Sequence, residues 1–350
     1  MTVDDATVNR YRAVARLYHA WFTGVLLTVT TRKSAAAVGD LTFNIFRRQH
    51  QEKFLSSFNK LGLSDLPHAV ACAQYHYLSN SVGGVGVEYM YEDDRKAWVH
   101  FLHPRWIYEG TALCGMPIEV SHGFLKGWYG HNGVSLGNPR LGFVCTSQDM
   151  DGQYGLAGYF REYDHDLTPE ERLQFAPGEM APAFDPDQAP VLNSDTWTAE
   201  RLDKANRNYA MEYVKNALVE MAALFGPAEA GWLGSITGQL IGKQYYAETA
   251  HQLEISGDSA ADFAGFLAAL FEGHDSEVET DQSGDTAHVR LKDWRLMRGV
   301  TAPAAAVFEG WNGLWQGALS VHNRLLVLEV LQRLDYGDDC FEWRIRPRKA

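Results

Sequence analysis

The sequence predicts an α+β protein of two tandem, diverged modules, each an antiparallel sheet of two hairpins packed against helices. Three observations carry this expectation. The 350 residues suffice for two domains of ordinary size, about 100–150 residues each. Signals run helix, helix, helix, hairpin, helix, hairpin, and then repeat in that order. Short patterns also recur in matching places: Arg105-Trp106 and Asp293-Trp294 close the first hairpins, and His131-Asn132 and His322-Asn323 follow Gly127 and Gly317. Leu141 to Gly152 and Leu326 to Gly337 have the same length.

The elements follow in order. Tyr11, Val14, Tyr18, Trp21 and Val25 step by three and four and make one helical stripe. A second helix is expected over 34–61, stopped by Gly62. Ser64-Asp65-Leu66-Pro67 reads as a helix start, with a helix over 67–78 that ends at Ser79-Asn80. Strands over 85–91 and 97–102 flank the polar turn Glu92–Lys96. A helix over 117–129 follows, and then a hairpin of 141–147 and 156–163 with Asp151-Gly152 at its turn.

Five prolines between Leu167 and Asn193 mark an extended linker strapped over the surface. Beyond it, helices are expected over 209–224, 228–253 and 260–271. A hairpin of 276–280 and 288–291, a helix over 302–318, and a hairpin of 325–331 and 340–346 complete the chain. The expected boundaries are therefore 1–166 for the first module, 167–194 for the linker and 195–350 for the second module.

Composition narrows the function. The net charge of −13, with no large Lys/Arg cluster, argues against nucleic acid as a partner. The polar start Met1–Val8 lacks the features of a signal peptide, and Trp21–Val29 is too short to span a membrane, so no membrane partner is expected. Cys72, Cys114, Cys145 and Cys340 lie far apart with no C-x-x-C spacing, which fits reduced thiols and a cytoplasmic location. The expected partner is a small molecule, and a homo-oligomer is compatible with the strap.

Nine of the 13 histidines and three of the four cysteines precede the linker, so the first module is the candidate active one. His68, Cys72, His76 and Asn80 follow at four-residue steps and share one helix face. A Cys–His pair one turn apart can generate a nucleophilic thiolate from Cys72 with His76 as base. The same face can offer His68 and His76 to a divalent metal. The alternative is a packing face whose histidines bond to backbone carbonyls.

His131 at a helix end is a second candidate base, with Asn132 as a donor and Gly133 permitting a left-handed exit. Simple capping is the competing account. Arg105 and Arg140, each beside a proline, can clamp a carboxylate or pair with a structural acid such as Glu88 or Glu119. Trp106 adds a planar surface to the expected binding site. Gly83-Gly84-Val85-Gly86 precedes a hairpin and not a helix, which does not fit a phosphate loop. Gly234, Gly238 and Gly242 make a smooth helical ridge, suited to close helix packing or to lining a pocket.

The arrangement ending in Gly337-Asp338-Asp339-Cys340-Phe341-Glu342-Trp343-Arg344-Ile345 resembles the L-2-amino-thiazoline-4-carboxylic acid hydrolase family. More distantly it resembles small-molecule-binding domains of the vinyl-reductase type. The resemblance covers 200–346 best and 7–165 more weakly. It implies a compact α+β domain and hydrolysis of a ring C–N or C=N bond in a small acid. Only Cys340 matches, and the first module has Gly155–Ala157 where that cysteine would fall. The expected function is a hydrolase of C–N or C=N bonds in a small cyclic or amide-like compound, acting with no cofactor or with a divalent metal. The alternative is a non-catalytic small-molecule binding or sensor protein.

Overall fold

In the computed structural model, which describes residues 5–348, each pair of hairpins joins into one sheet with the same strand order. The first four and last two residues, assigned by the sequence boundaries to the two modules, lie outside the described residues. The first half contains α1 (Asp5–Arg32), α2 (Ala35–Lys60), α3 (His68–Val82), β1 (Val87–Asp93) and β2 (Lys96–Phe101). Then come α4 (Ala112–Gly115), α5 (Ile118–Gly127), α6 (Asn132–Ser135), β3 (Leu141–Ser147), β4 (Ala157–Glu162) and β5 (Leu173–Phe175). The second half contains α7 (Ala199–Phe225), α8 (Pro227–Gln252), α9 (Ala260–Gly273), β6 (Val278–Ser283) and β7 (Thr286–Leu291). It ends with α10 (Ala305–His322), β8 (Leu326–Gln332) and β9 (Phe341–Pro347).

The sheets run β1-β2-β4-β3-β5 and β6-β7-β9-β8, so the two-hairpin order is the same in both. The match extends to irregularities. The ladder slips between Cys145 and Ser147 in β3 and between Val330 and Gln332 in β8, the same position in each strand. Each strand then enters a 3-10 turn that ends on a left-handed glycine, Gly152 (φ 69°) or Gly337 (φ 94°). Two tandem modules of one design are present.

Close packing of small residues holds one helix pair in each module. A Cβ on Gly123 or Gly127 of α5 would strike the carbonyl oxygens of Gly39 and Phe43 in α2. On α10, Gly313 and Gly317 meet Ser235 and Gln239 of α8 in the same way. The ridge Gly234, Gly238 and Gly242 fits against Gly310, Gly313, Leu314 and Ala318, so its role is helix packing. The equivalent contacts also show which positions of the two modules correspond: His50 lies eleven residues after Gly39, and Tyr246 eleven after Ser235.

Several sequence expectations change. Pro67 caps α3 without entering it, and the helix continues past Asn80, whose amide bonds back to the His76 carbonyl, to Val82. Gly133 has no left-handed angle among the described residues; it lies inside α6, where a Cβ would meet the Leu141 oxygen at 2.6 Å. The segment expected to be a plain linker contributes β5, which pairs parallel to β3, making the first sheet mixed. It then lays Ala176, Ala181 and Phe184 on the outer aromatic face formed by Met90, Trp98, Val144 and Tyr159. In the second module the corresponding face carries charge ladders instead, including Arg290–Glu342 and Arg344–Glu329.

Contacts divide the chain into two units, one formed by the segment up to Thr28 with Asp203 onward, the other by Val29–Leu202. The sequence boundaries place the first helix with residues up to 166. Its apolar stripe instead packs with later elements: Tyr18 accepts a bond from Trp311 Nε1 (2.8 Å), and Phe22 stacks on Tyr213. Apolar burial chose the partner of this stripe. Among the described residues, no helix is long and apolar enough to cross a membrane.

Candidate functional site

Two polar clusters lie in the unit Val29–Leu202. The first is enclosed in its core. Asn132, fully buried at the start of α6, donates through Nδ2 to His76 Nε2 (3.0 Å) and accepts from His50 Nε2 through Oδ1 (3.1 Å). Arg47 donates to His50 Nδ1 (3.0 Å), so the hydrogen bonds run in one direction from Arg47 to His76. This requires both rings neutral, with His50 protonated on Nε2 and His76 bare at Nε2. Burial, reinforced by Arg47, pushes His50 down to about 3, and burial also holds His76 well below its usual range. His76 stacks on Tyr129 at 3.9 Å and lies parallel to Phe160.

Cys72 also lies wholly inside this core. Burial drives its thiol strongly upward, only partly offset by a bond from Asn132. A nucleophilic cysteine needs the opposite shift and an open approach. Of the helix face read from the sequence, His68, Cys72, His76 and Asn80, Cys72 and His76 turn into the core, where Asn132 joins them in the seam that ties α2, α3 and α6. His131 stands outside it, half-buried, with Nδ1 donating to the Lys126 carbonyl. His68 is bonded by Asn138, and among the described residues no group of three His, Cys, Asp or Glu side chains is placed to hold a metal ion. His68 and His76 thus have separate partners, Asn138 and Asn132.

The second cluster sits where β2 and β3 end. Asp149, 6% exposed, opens the 3-10 turn Asp149–Asp151. Its Oδ1 accepts a short bond from His103 Nε2, and its Oδ2 accepts from Arg105 Nη1 at 3.1 Å. Arg105 is 8% exposed and its guanidinium lies over the Phe101 ring. The His103 side chain is 38% exposed. With Nε2–H directed to Asp149, the Nδ1 lone pair is the one available for chemistry. The ladder slip at Thr146 re-aims the strand directly before this turn, a common device beside functional groups. The Thr146 and Ser147 hydroxyls and the Gln148 side-chain oxygen are buried and make no hydrogen bond within the protein.

Arg105 thus pairs with Asp149, not with Glu88 or Glu119. Arg140 precedes β3, at the far end of a seven-residue strand from this turn, roughly 20 Å away at strand rise. Trp106 opens the 3-10 turn next to Arg105 and is half-buried. Sequence reading missed His50, His103 and Asp149. The signal for the last two was present as His103-Pro104-Arg105 after one hairpin strand and Asp149 after another, but only pairing of β2 with β4, and β4 with β3, brings them together.

The second module does not repeat this cluster. Matching Leu141 with Leu326 and Arg105 with Asp293 puts Leu334 where Asp149 stands and Leu291 where His103 stands. In place of the His50–Asn132 bond it has Tyr246 bonded to His322 at 2.5 Å, with His322 Nε2 donating to the Ser259 carbonyl. Asn323 caps α10 there, whereas Asn132 is a core bridge. No protein-family model, curated protein or solved structure matches the chain.

Proposed function

We propose that this protein is a hydrolase acting on a C–N or C=N bond of a small cyclic or amide-like compound, with His103, Asp149 and Arg105 as its centre. The observation that carries this reading is a part-exposed imidazole oriented by a buried carboxylate that a buried guanidinium holds in turn. In the proposed reaction His103 Nδ1 takes a proton from water as the water oxygen attacks the electrophilic carbon. The C–N bond then breaks, and the same proton passes to the leaving nitrogen. Asp149 fixes the ring and stabilises the imidazolium; Arg105 holds the Asp149 carboxylate in place. The resemblance to the thiazoline-carboxylate hydrolases motivates the bond type, and the base moves from His76 and His131 to His103.

The test is hydrolysis of 2-amino-thiazoline-4-carboxylate, hydantoins, dihydropyrimidines and simple amides, followed by product release. Loss of a positioned general base costs about 10²–10⁴ in rate, so His103→Ala should lose at least a hundredfold in kcat, and added imidazole should restore part of it. Full activity in His103→Ala and Asp149→Asn would refute this centre. A binding or sensor role is the second reading, supported by the aromatic face of Trp98 and Tyr159 under the strap. It gains if every compound is left intact while a planar acid quenches tryptophan emission.

A further inference from the structure

Asp275, at a left-handed φ of 59°, is the meeting point of an unusual number of cations in the second module. Its Oδ2 lies 3.0 Å from Lys204 Nζ, 2.9 Å from Arg207 Nη2 and 3.3 Å from Arg295 Nη2, while Tyr11 donates to Oδ1 at 2.7 Å. Three cations thus share one carboxylate oxygen, in a chain whose net charge is −13. Neighbouring salt bridges do not supply the missing negative charge, because Arg12 pairs with Asp203 and Arg10 with Glu272.

Hydrogen bonding shows the same imbalance. Arg207 is fully buried, donates to the Gly273 carbonyl and to Asp275, and leaves Nε–H without a partner. On either side of Asp275, the buried His274 Nε2 and Ser276 hydroxyl also make no bond, and neither does Trp294 Nε1 beside Arg295. The one unpartnered carboxylate oxygen among these flanking residues belongs to Asp293. Arg207 Nε and Trp294 Nε1 can only donate, while Asn206, next to Arg207, adds an unpartnered amide oxygen. Lys204 and Arg295 keep side-chain exposures of 42% and 23%, so both can reach an outside ligand while Arg207 stays fixed.

We propose that Lys204 and Arg295, with the buried Arg207 fixing Asp275 behind them, form a binding site for a small monocarboxylate, separate from the His103 centre. The three cations face the single Asp275 carboxylate, so positive charge is left over at the part-exposed Lys204 and Arg295, and the planar guanidinium of Arg295 matches a carboxylate in two parallel bonds. Arg295 supplies the paired N–H groups and Lys204 a point charge. Gly83 and Gly84 follow the matching helix of the first module, so no carboxylate stands there in the place of Asp275.

The test is thermal unfolding of the full chain in acetate, lactate, pyruvate or benzoate, with sodium chloride holding ionic strength constant and inorganic phosphate as comparison. A saturable rise in Tm with one or more monocarboxylates is expected. It should fall at least tenfold in apparent affinity in Lys204→Ala/Arg295→Ala and return in part with Lys204→Arg. Lys204→Ala alone, changing a half-exposed side chain, gives a second reading if the double variant does not fold. Equal shifts in wild type and variant, or none up to about 100 mM, where RT ln(1 + [L]/Kd) would register even a millimolar site, would overturn the proposal. A larger shift with phosphate would overturn the carboxylate assignment.

Discussion

Replacing Gly242 by alanine puts two opposing effects in direct competition. Alanine is favoured over glycine in a helix interior by about 1 kcal/mol, so an unobstructed exchange stabilises. At Gly242, however, the added Cβ would lie 2.2 Å from the Leu314 carbonyl oxygen and 2.8 Å from the Ala318 nitrogen, both backbone atoms that cannot swing aside. The α8 and α10 axes would have to separate by roughly 1 Å, and overpacking of this kind costs about 1–3 kcal/mol or more along a contact that also holds Gly234 and Gly238. Gly265 of α9 is the internal control, because its Cβ would meet only Ile255 Cδ1 at 3.7 Å. In a domain of this size 1 kcal/mol moves Tm by about 2–4 °C. Gly242→Ala should therefore lower Tm by several degrees, while Gly265→Ala raises it by about 2 °C, read by calorimetry on both variants. A Gly242→Ala protein that gains as much as Gly265→Ala would refute the account of the ridge as a packing contact.

Further expectations concern acid and thiols. His50 stays neutral in the fold at about 3, whereas an unfolded histidine titrates near 6.5, so the unfolded chain binds more protons between those values. Stability should fall as pH drops from 6.5 toward 4, by up to about 1.4 kcal/mol per pH unit for this group, and urea midpoints of His50→Gln should decline less steeply. For Asp275 burial favours the neutral acid, but bonds from Arg207, Tyr11 and Lys204 outweigh it and hold the carboxyl well below its usual range. Its contribution is present above about pH 4 and is lost as pH falls further. The difference in Tm between wild type and Asp275→Asn should accordingly shrink from pH 6 to pH 3. Of the four cysteines only Cys114 is exposed, so one thiol should react rapidly in the native protein and vanish in Cys114→Ser, leaving Cys72→Ala unchanged in that assay. A fast thiol lost with Cys72 would contradict its burial.

The fold was legible where one kind of signal repeated. The Tyr11–Val25 stripe, the matched turns at Gly152 and Gly337, and the ridge on α8 were all local patterns with one inexpensive solution. What the stripe would pack against was not legible, since an apolar face carries no address. The strap at Leu173–Phe175 was hidden by its prolines, because three residues pairing with an existing edge need no periodicity of their own. At the candidate site, four-residue spacing correctly grouped Cys72 and His76, and Asn132 joined them. Spacing reports a shared face, not whether that face looks outward or inward. The His103–Asp149–Arg105 cluster depends on strand order, which brings Asp149 to His103 and Arg105 from more than forty residues away in sequence.

Because α1 completes a unit whose other residues begin at Asp203, that unit cannot close while the chain is being made. Synthesis runs at about 5–20 residues per second, so Trp21 and Phe22 would wait roughly 15–60 s for Trp311 and its neighbours. During that interval Val29–Leu202 can fold as a continuous segment. A cut at the strap would therefore leave a second half without its first helix, and that helix without the surface it covers.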